Sequence, residues 1–155
     1  MTDIRRLGPD DPDMPAVHTL VTTAFAYMDG RVDPPSSIHR TGLAEMRAMA
    51  REGLLLAAGR PPLACVFCTA TPGALYLGKL AVAEAARGRG LARALVQAAE
   101  AEARARGLGA LELQTRVELT ENHATFARLG FAEVARTAHP GYDRPTSLTM
   151  RKELR

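Results

Sequence analysis

No apolar run in the sequence approaches the ~18 residues that a bilayer-spanning helix needs. Its start, MTDIRRLGPDDPD, contains no apolar signal-peptide core, so the expected location is cytoplasmic. No long basic block tracks along the chain, and acidic and basic residues are mixed (Glu100, Glu102, Arg104 and Arg106 lie together), which argues against a nucleic-acid partner. Lysine is nearly absent: Lys79 and Lys152 are the only two, and the other cations are arginine. Cysteine occurs only at Cys65 and Cys68, within LACVFCTA. A C-x-x-C spacing can mark a redox pair or half a zinc site, but no second pair exists and the four histidines are scattered. The segment reads as a strand, where residues three apart face opposite ways, so two packed, reduced thiols are expected and no metal. Internal repeats, low-complexity tracts and linkers are also missing, and 155 residues suit one domain spanning 1–155 with one core.

What is present reads as alternating elements. TDIRRL opens as a strand. Asp10, Asp11 and Asp13 precede a helix whose apolar stripe, Val17, Leu20, Val21 and Ala24, extends to about Tyr27. Pro34 and Pro35 force a loop, and a second helix is predicted from about Ser37 to Arg51. LLLAA, LACVFCTA and ALYLGKLAV, joined by GRPP and TPG, form an antiparallel meander. From Gly90 to Arg106 the period becomes helical, with Leu91, Ala94, Leu95, Ala98 and Ala105 on one face and Gly107 as a left-handed cap. The strand ALELQTRV follows, which implies a parallel crossover. A helix from about Thr120 to Leu129 stops at Gly130, and the strands FAEVART and TSLTMRK close the chain. The order βααβββαβαββ predicts an α/β fold: a mixed sheet of about seven strands, antiparallel first and parallel in the middle, flanked by about four helices.

The chemistry concentrates in Arg87-Gly88-Arg89-Gly90-Leu91-Ala92, between a strand and a helix. The first turn of a helix leaves N–H groups unpaired, and its dipole favours anions. Glycine lets the backbone approach a phosphate, and arginine adds charge-assisted bonds. The expected ligand is a diphosphate, although an exposed turn without a ligand has similar composition. A dinucleotide fingerprint is excluded because Arg93 stands at its third glycine, and no G-x-x-x-x-G-K-S/T is present.

The remaining pattern resembles the Arg/Gln-x-x-Gly-x-Gly/Ala signature of the GNAT superfamily of N-acetyltransferases, matched here by Arg87, Gly90 and Ala92. LGKLAV is similar to that family's fourth strand, and NHATFARLGF, residues 122–131, to its following helix and Gly-Phe end. The resemblance implies acetyl-CoA as cosubstrate, gripped by Arg87, Gly88, Arg89, Gly90, Leu91 and Ala92. It implies a pantetheine arm lying between the fourth and fifth strands against Leu80, Ala81 and Val82. The Val82 N–H would then polarise the thioester carbonyl. Asn122 would touch the pantetheine, although asparagine also caps helices well. The implied reaction is direct attack by a primary amine in a ternary complex, and the implied partner is a small-molecule or peptide amine, with room for a homodimer.

Many members of that family carry a tyrosine that protonates the departing thiolate, in the slot where Phe126 stands here. Phe126 cannot donate a proton, but it suits a hydrophobic contact with Phe131 in a Schellman cap. Tyr142 and Tyr76 are alternative acids, and solvent is a third. Glu112, Glu118, His123 and His139 are candidate bases. The loops around residues 27–40 and 137–146 offer Asp29, Asp33, His39, His139, Tyr142 and Asp143 to an acceptor, whose ammonium the carboxylates would attract. The missing tyrosine also admits a second class of function, a CoA-binding sensor with little catalysis.

Overall fold

Side-chain alternation in Leu54–Ala58 (β2) decides the layering. Leu54 and Leu56 point to one face, Leu55 and Ala57 to the other, and all four are buried. A strand buried on both sides requires cover on both sides. The computed structural model, which describes residues 3–154, provides it with helices on each face of one seven-stranded sheet.

The elements are β1 (Ile4–Arg6), α1 (Met14–Ala24), α2 (Leu43–Glu52), β2, β3 (Ala64–Thr71), β4 (Ala74–Val82), α3 (Leu91–Ala105), β5 (Ala110–Arg116), α4 (Thr120–Arg128), β6 (Ala132–Thr137) and β7 (Ser147–Glu153). The strand order is β1-β2-β3-β4-β5-β7-β6, antiparallel throughout except for β4 beside β5. Leu54, Leu56, Val66, Leu75 and Leu77 pack under α3, while Leu55, Cys65 and Phe67 pack under α1 and α2. Cys65 and Cys68 therefore lie on opposite faces of the sheet, both buried and free, and burial pushes each thiol up to about 12. Among the described residues, no group of three metal-ligating side chains could hold an ion, and no helix is long and apolar enough to cross a membrane.

Three local readings need correction. α1 ends at Ala24, and a short 3-10 turn, Ala26–Met28, takes up the rest of the predicted stretch. The second predicted helix is broken. A 3-10 turn at Ser37–Arg40, capped by the Ser36 hydroxyl, which accepts from the Ile38 N–H (3.2 Å), is followed by an extended Gly42 that starts α2 afresh. On α3 the buried stripe is Leu91, Leu95, Val96, Ala99 and Ala103, whereas Ala105 is exposed. Alanine is too small to choose a face, so the large residues set the rotation.

Both C-caps behave as expected. The Leu108 N–H donates to Ala103 O (2.8 Å) and the Phe131 N–H to Phe126 O (3.0 Å), around left-handed Gly107 and Gly130. Phe126 meets Phe131 edge-on, with 6.1 Å between ring centroids.

Candidate active site

β4 and β5 pair only at Leu75–Leu111, Tyr76–Glu112 and Leu77–Leu113. Beyond these pairs β4 stays with β3 as far as Val82, and β5 stays with β7 as far as Arg116, so the two strands separate. A bulge contributes to the divergence. Cys65 pairs with Ala81 but Phe67 with Gly78, which leaves one extra residue on β4, and Lys79 adopts a left-handed φ of 53° there.

The gap exposes strand backbone. The Ala83 N–H donates to Leu63 O (2.8 Å), which makes Leu63 and Ala83 the bonded pair. Its neighbours Ala64 and Val82 then turn their N–H and C=O groups away from each other. For Val82 that direction is the gap, where β5 no longer provides a partner.

The gap opens into a cleft of about 940 Å³. One wall is Gly78–Val82, and a second is Leu113–Arg116. The mouth is formed by Ala86–Gly88 and Gly90–Ala92, at the start of α3. Gly88 (φ 80°) and Gly90 (φ 76°) are both left-handed, a conformation that costs other residues about 1–2 kcal/mol. A Cβ on either would meet no heavy atom within 4 Å. No side chain caps the first turn of α3, and no acidic residue occupies it.

Asn122, Thr125 and Phe126 of α4 form another side of the cleft, beside the segment from Phe25 to Arg40. That segment is tied down at several points. The Asn122 amide donates to the Tyr27 hydroxyl (2.9 Å), Arg31 makes a bidentate pair with Glu121 (2.9 and 3.0 Å), and Arg116 donates to the carbonyls of Pro34 (2.6 Å) and Pro35 (3.2 Å).

The cleft brings together Leu80, Ala81, Val82, Arg87, Gly88, Gly90, Leu91, Ala92, Asn122, Phe126 and His139, all expected from the sequence. Asn122 is the third residue of α4 rather than its cap; Leu119 holds the cap position. Arg89 is absent from the lining, and its guanidinium turns back toward Ala85 O (3.5 Å). Several polar candidates are engaged elsewhere. Glu112 accepts from Arg151 (2.5 Å) and Tyr142 donates to Asp33 (2.6 Å). Asp33 also accepts from Arg144 (3.1 Å), Asp29 pairs with His39 (2.6 Å), and the His123 ring donates to Arg116 O (2.8 Å). Of these nine residues only Arg116 lines the cleft. Partners that the fold sets beside them, 39 residues away for Glu112 and 109 for Tyr142, withdraw these side chains.

Two expected residues remain available. Tyr76 lines the cleft half-buried, and burial raises its phenol above the ordinary value. His139 lines it too, and burial first, then Arg116, holds its imidazole below the ordinary value. The sequence reading missed Tyr27, Arg31, Arg40, Lys79, Arg116 and Glu121. For Arg116 the signal existed. The alternation that placed Glu112 on one face of β5 places Gln114 and Arg116 on the same face, nearer the open end.

Residues 19–131 match the family described as acetyltransferase (GNAT). The chain belongs to the GNAT family of acetyltransferases. No curated protein sequence matches it. Solved structures share the fold at low identity. The PaiA N-acetyltransferase of Thermoplasma acidophilum, in complex with coenzyme A, is 13% identical with a TM-score of 0.81 and 99% coverage of both chains. The ribosomal-protein-S18-alanine N-acetyltransferase of Escherichia coli is 21% identical with a TM-score of 0.72, covering 99% of this chain and 94% of that one. The IAA acetyltransferase of Bacillus cereus is 19% identical with a TM-score of 0.69, covering 99% and 100%. The parted fourth and fifth strands of this GNAT chain, its glycine loop and its Phe126–Phe131 cap therefore sit in a family whose chemistry is acetyl transfer.

Proposed function

We propose that this acetyltransferase moves the acetyl group of acetyl-CoA to a primary amine, with both substrates held in the cleft at once. The observation that carries this reading is the separation of β4 from β5 beyond Leu77 and Leu113, with the Val82 N–H turned into the gap. β7 and His139 lie outside the family match yet complete the sheet and the cleft, so residues 1–155 are read as one domain.

The residues present fit coenzyme A at both ends. Main-chain amides from Gly88 to Ala92 are uncapped and uncrowded, which suits a diphosphate, and Arg87 adds charge. Main-chain groups of Leu80–Val82 have no strand beside them on the β5 side and suit the amides of a pantetheine arm, paired there as an added strand. Bound there, acetyl-CoA would supply an activated acetyl thioester.

The protein's own groups then have separable tasks. The Val82 N–H stabilises negative charge on the carbonyl oxygen, a contribution of about 2.7–4 kcal/mol for one well-placed donor. Holding amine and acetyl group together contributes about 7–11 kcal/mol. His139 is neutral near pH 7, and its backbone N–H donates to Thr146 Oγ1 while that hydroxyl donates to Thr137 O (2.9 and 3.4 Å). This arrangement leaves Oγ1 to accept from Nδ1, so the bare Nε2 is the atom that takes the amine's proton. Tyr76, protonated at neutral pH, holds the proton for the departing thiolate, the task Phe126 cannot perform.

Calorimetric titration with CoA tests the placement. Gly90→Asp adds bulk and like charge at the diphosphate and should weaken binding at least about tenfold. No heat of binding to the wild type, or an unchanged constant in the variant, overturns the reading. A sensor that binds CoA without turnover is favoured by Phe126 alone; it predicts tight CoA binding with no thiol release from any amine.

A further inference from the structure

Five cationic side chains line the cleft (Arg31, Arg40, Lys79, Arg87 and Arg116) against one carboxylate, Glu121. Arg31 already holds Glu121 in its bidentate pair. Arg87 stands at the mouth beside the α3 amides. Arg40, Lys79 and Arg116 remain along the lining, and the carboxylates expected to receive an ammonium there are turned away, Asp29 by His39 and Asp33 by Tyr142 and Arg144.

These three cations lack a bonded counter-ion. Among the described residues Arg40 and Lys79 make no side-chain hydrogen bond or ion pair, and the Arg116 guanidinium donates only to the neutral carbonyls of Pro34 and Pro35. Lys79 is half-buried on the bulge, and burial alone lowers its ammonium below the ordinary value. Burial likewise lowers Arg116, Arg40 presses on it with like charge, and Glu118 and Asp33 oppose that from nearby. A partly desolvated cation without a counter-ion is costly, and a charged ligand removes the cost.

We infer that the acceptor is an amine that also carries an oxyanion, a carboxylate or a phosphate, gripped by Arg40, Lys79 and Arg116. This inference rests on the acetyltransferase reading and narrows it. The same positive lining favours the free base of the bound amine over its ammonium, since like charges disfavour the protonated form. Anchoring by the anion thus presents an amine ready to attack, and the proton leaves for solvent or His139. Polycationic amines meet repulsion in this cleft.

Matched amines test the inference. Thiol release is measured with β-alanine against β-alaninamide, and with O-phosphoethanolamine against ethanolamine. Direct titration of each amine into the CoA-saturated protein gives a second readout. The anionic member of at least one pair should be preferred by about tenfold or more in kcat/KM and in binding, and the pair that shows it distinguishes carboxylate from phosphate. Arg40→Ala should narrow that gap by about tenfold, chiefly through KM. Arg40 is exposed, so the variant is expected to fold. Equal or better use of the neutral members, or an Arg40→Ala effect of the same size on both members, overturns the inference while leaving acetyl transfer standing. Preferential binding of the anionic members without thiol release from any amine upholds the anion site and overturns the acetyltransferase reading instead. Neither preferential binding nor thiol release overturns both.

Discussion

The side-chain amide of Asn122 donates to the hydroxyl of Tyr27 across 2.9 Å, joining α4 to the turn after α1 inside the cleft. An amide engaged there must release Tyr27 before it reaches a pantetheine arm. Tyr27→Phe frees it in advance. CoA should therefore bind two- to about tenfold more tightly to Tyr27→Phe, the range of one net hydrogen bond, and more weakly to Asn122→Ala. Calorimetry decides; weaker binding by Tyr27→Phe would mean that the hydroxyl itself holds the ligand.

Tyr76 and Tyr142 separate by location. Tyr76 lines the cleft, while the Tyr142 hydroxyl is bonded to Asp33 outside it. Tyr76→Phe should lower kcat by about 10–100-fold, at or below the usual ~10²–10⁴-fold range of general-acid help because a thiolate leaves readily. Tyr142→Phe should leave kcat within about twofold. A kcat loss confined to Tyr142→Phe would reverse these roles.

The pH profile reports on His139. Burial and Arg116 hold its imidazole below the ordinary value, so it takes up a proton only when the pH falls beneath about 6.5. A base must be unprotonated, so kcat/KM should fall on the acid side with an apparent pKa below about 6.5, and His139→Gln should remove that limb. The same limb in the variant would assign it to another group.

The two thiols predict an alkaline loss of stability. Burial raises both from an ordinary value near 9 to about 12 in the folded protein. Between these values the unfolded chain has released protons that the folded one retains, so stability falls as pH rises above 9. Chemical denaturation at pH 8 and pH 10.5 should show this decline, and it should be smaller in a Cys65→Ala, Cys68→Ala variant that keeps its acetyltransfer. Loss of transfer with intact folding would restore a chemical role to the C-x-x-C pair.

The glycine loop and the uncapped start of α3 were readable from sequence because their geometry is local. A diphosphate socket needs only glycines that adopt positive φ at Gly88 and Gly90, an uncapped helix start at Leu91 and a strand before it. Each of these follows from residue type and spacing over about a dozen positions. Likewise, Gly107 and Gly130 announced their helix ends, because a left-handed residue followed by an apolar one specifies its own hydrogen bonds. The face of α3 was harder to read, since alanines at 94, 98, 99, 103 and 105 offer several stripes of similar hydrophobicity, and only packing of Leu95 and Val96 against the sheet chose among them.

The loop-lined end of the cleft could not be read in this way. Asp33 and Tyr142 are 109 residues apart, Arg116 and Pro34 82, and Tyr27 and Asn122 95. Whether a carboxylate faces a substrate or a neighbouring arginine depends on which loops the sheet order sets side by side. Strand alternation and glycine placement therefore determined the sheet, its parallel pair and the left-handed loop ahead of α3. The charge of the cleft was decided only when β4 bulged at Lys79 and the Phe25–Arg40 segment folded across β5, because electrostatic fields depend on distance through space and not along the chain.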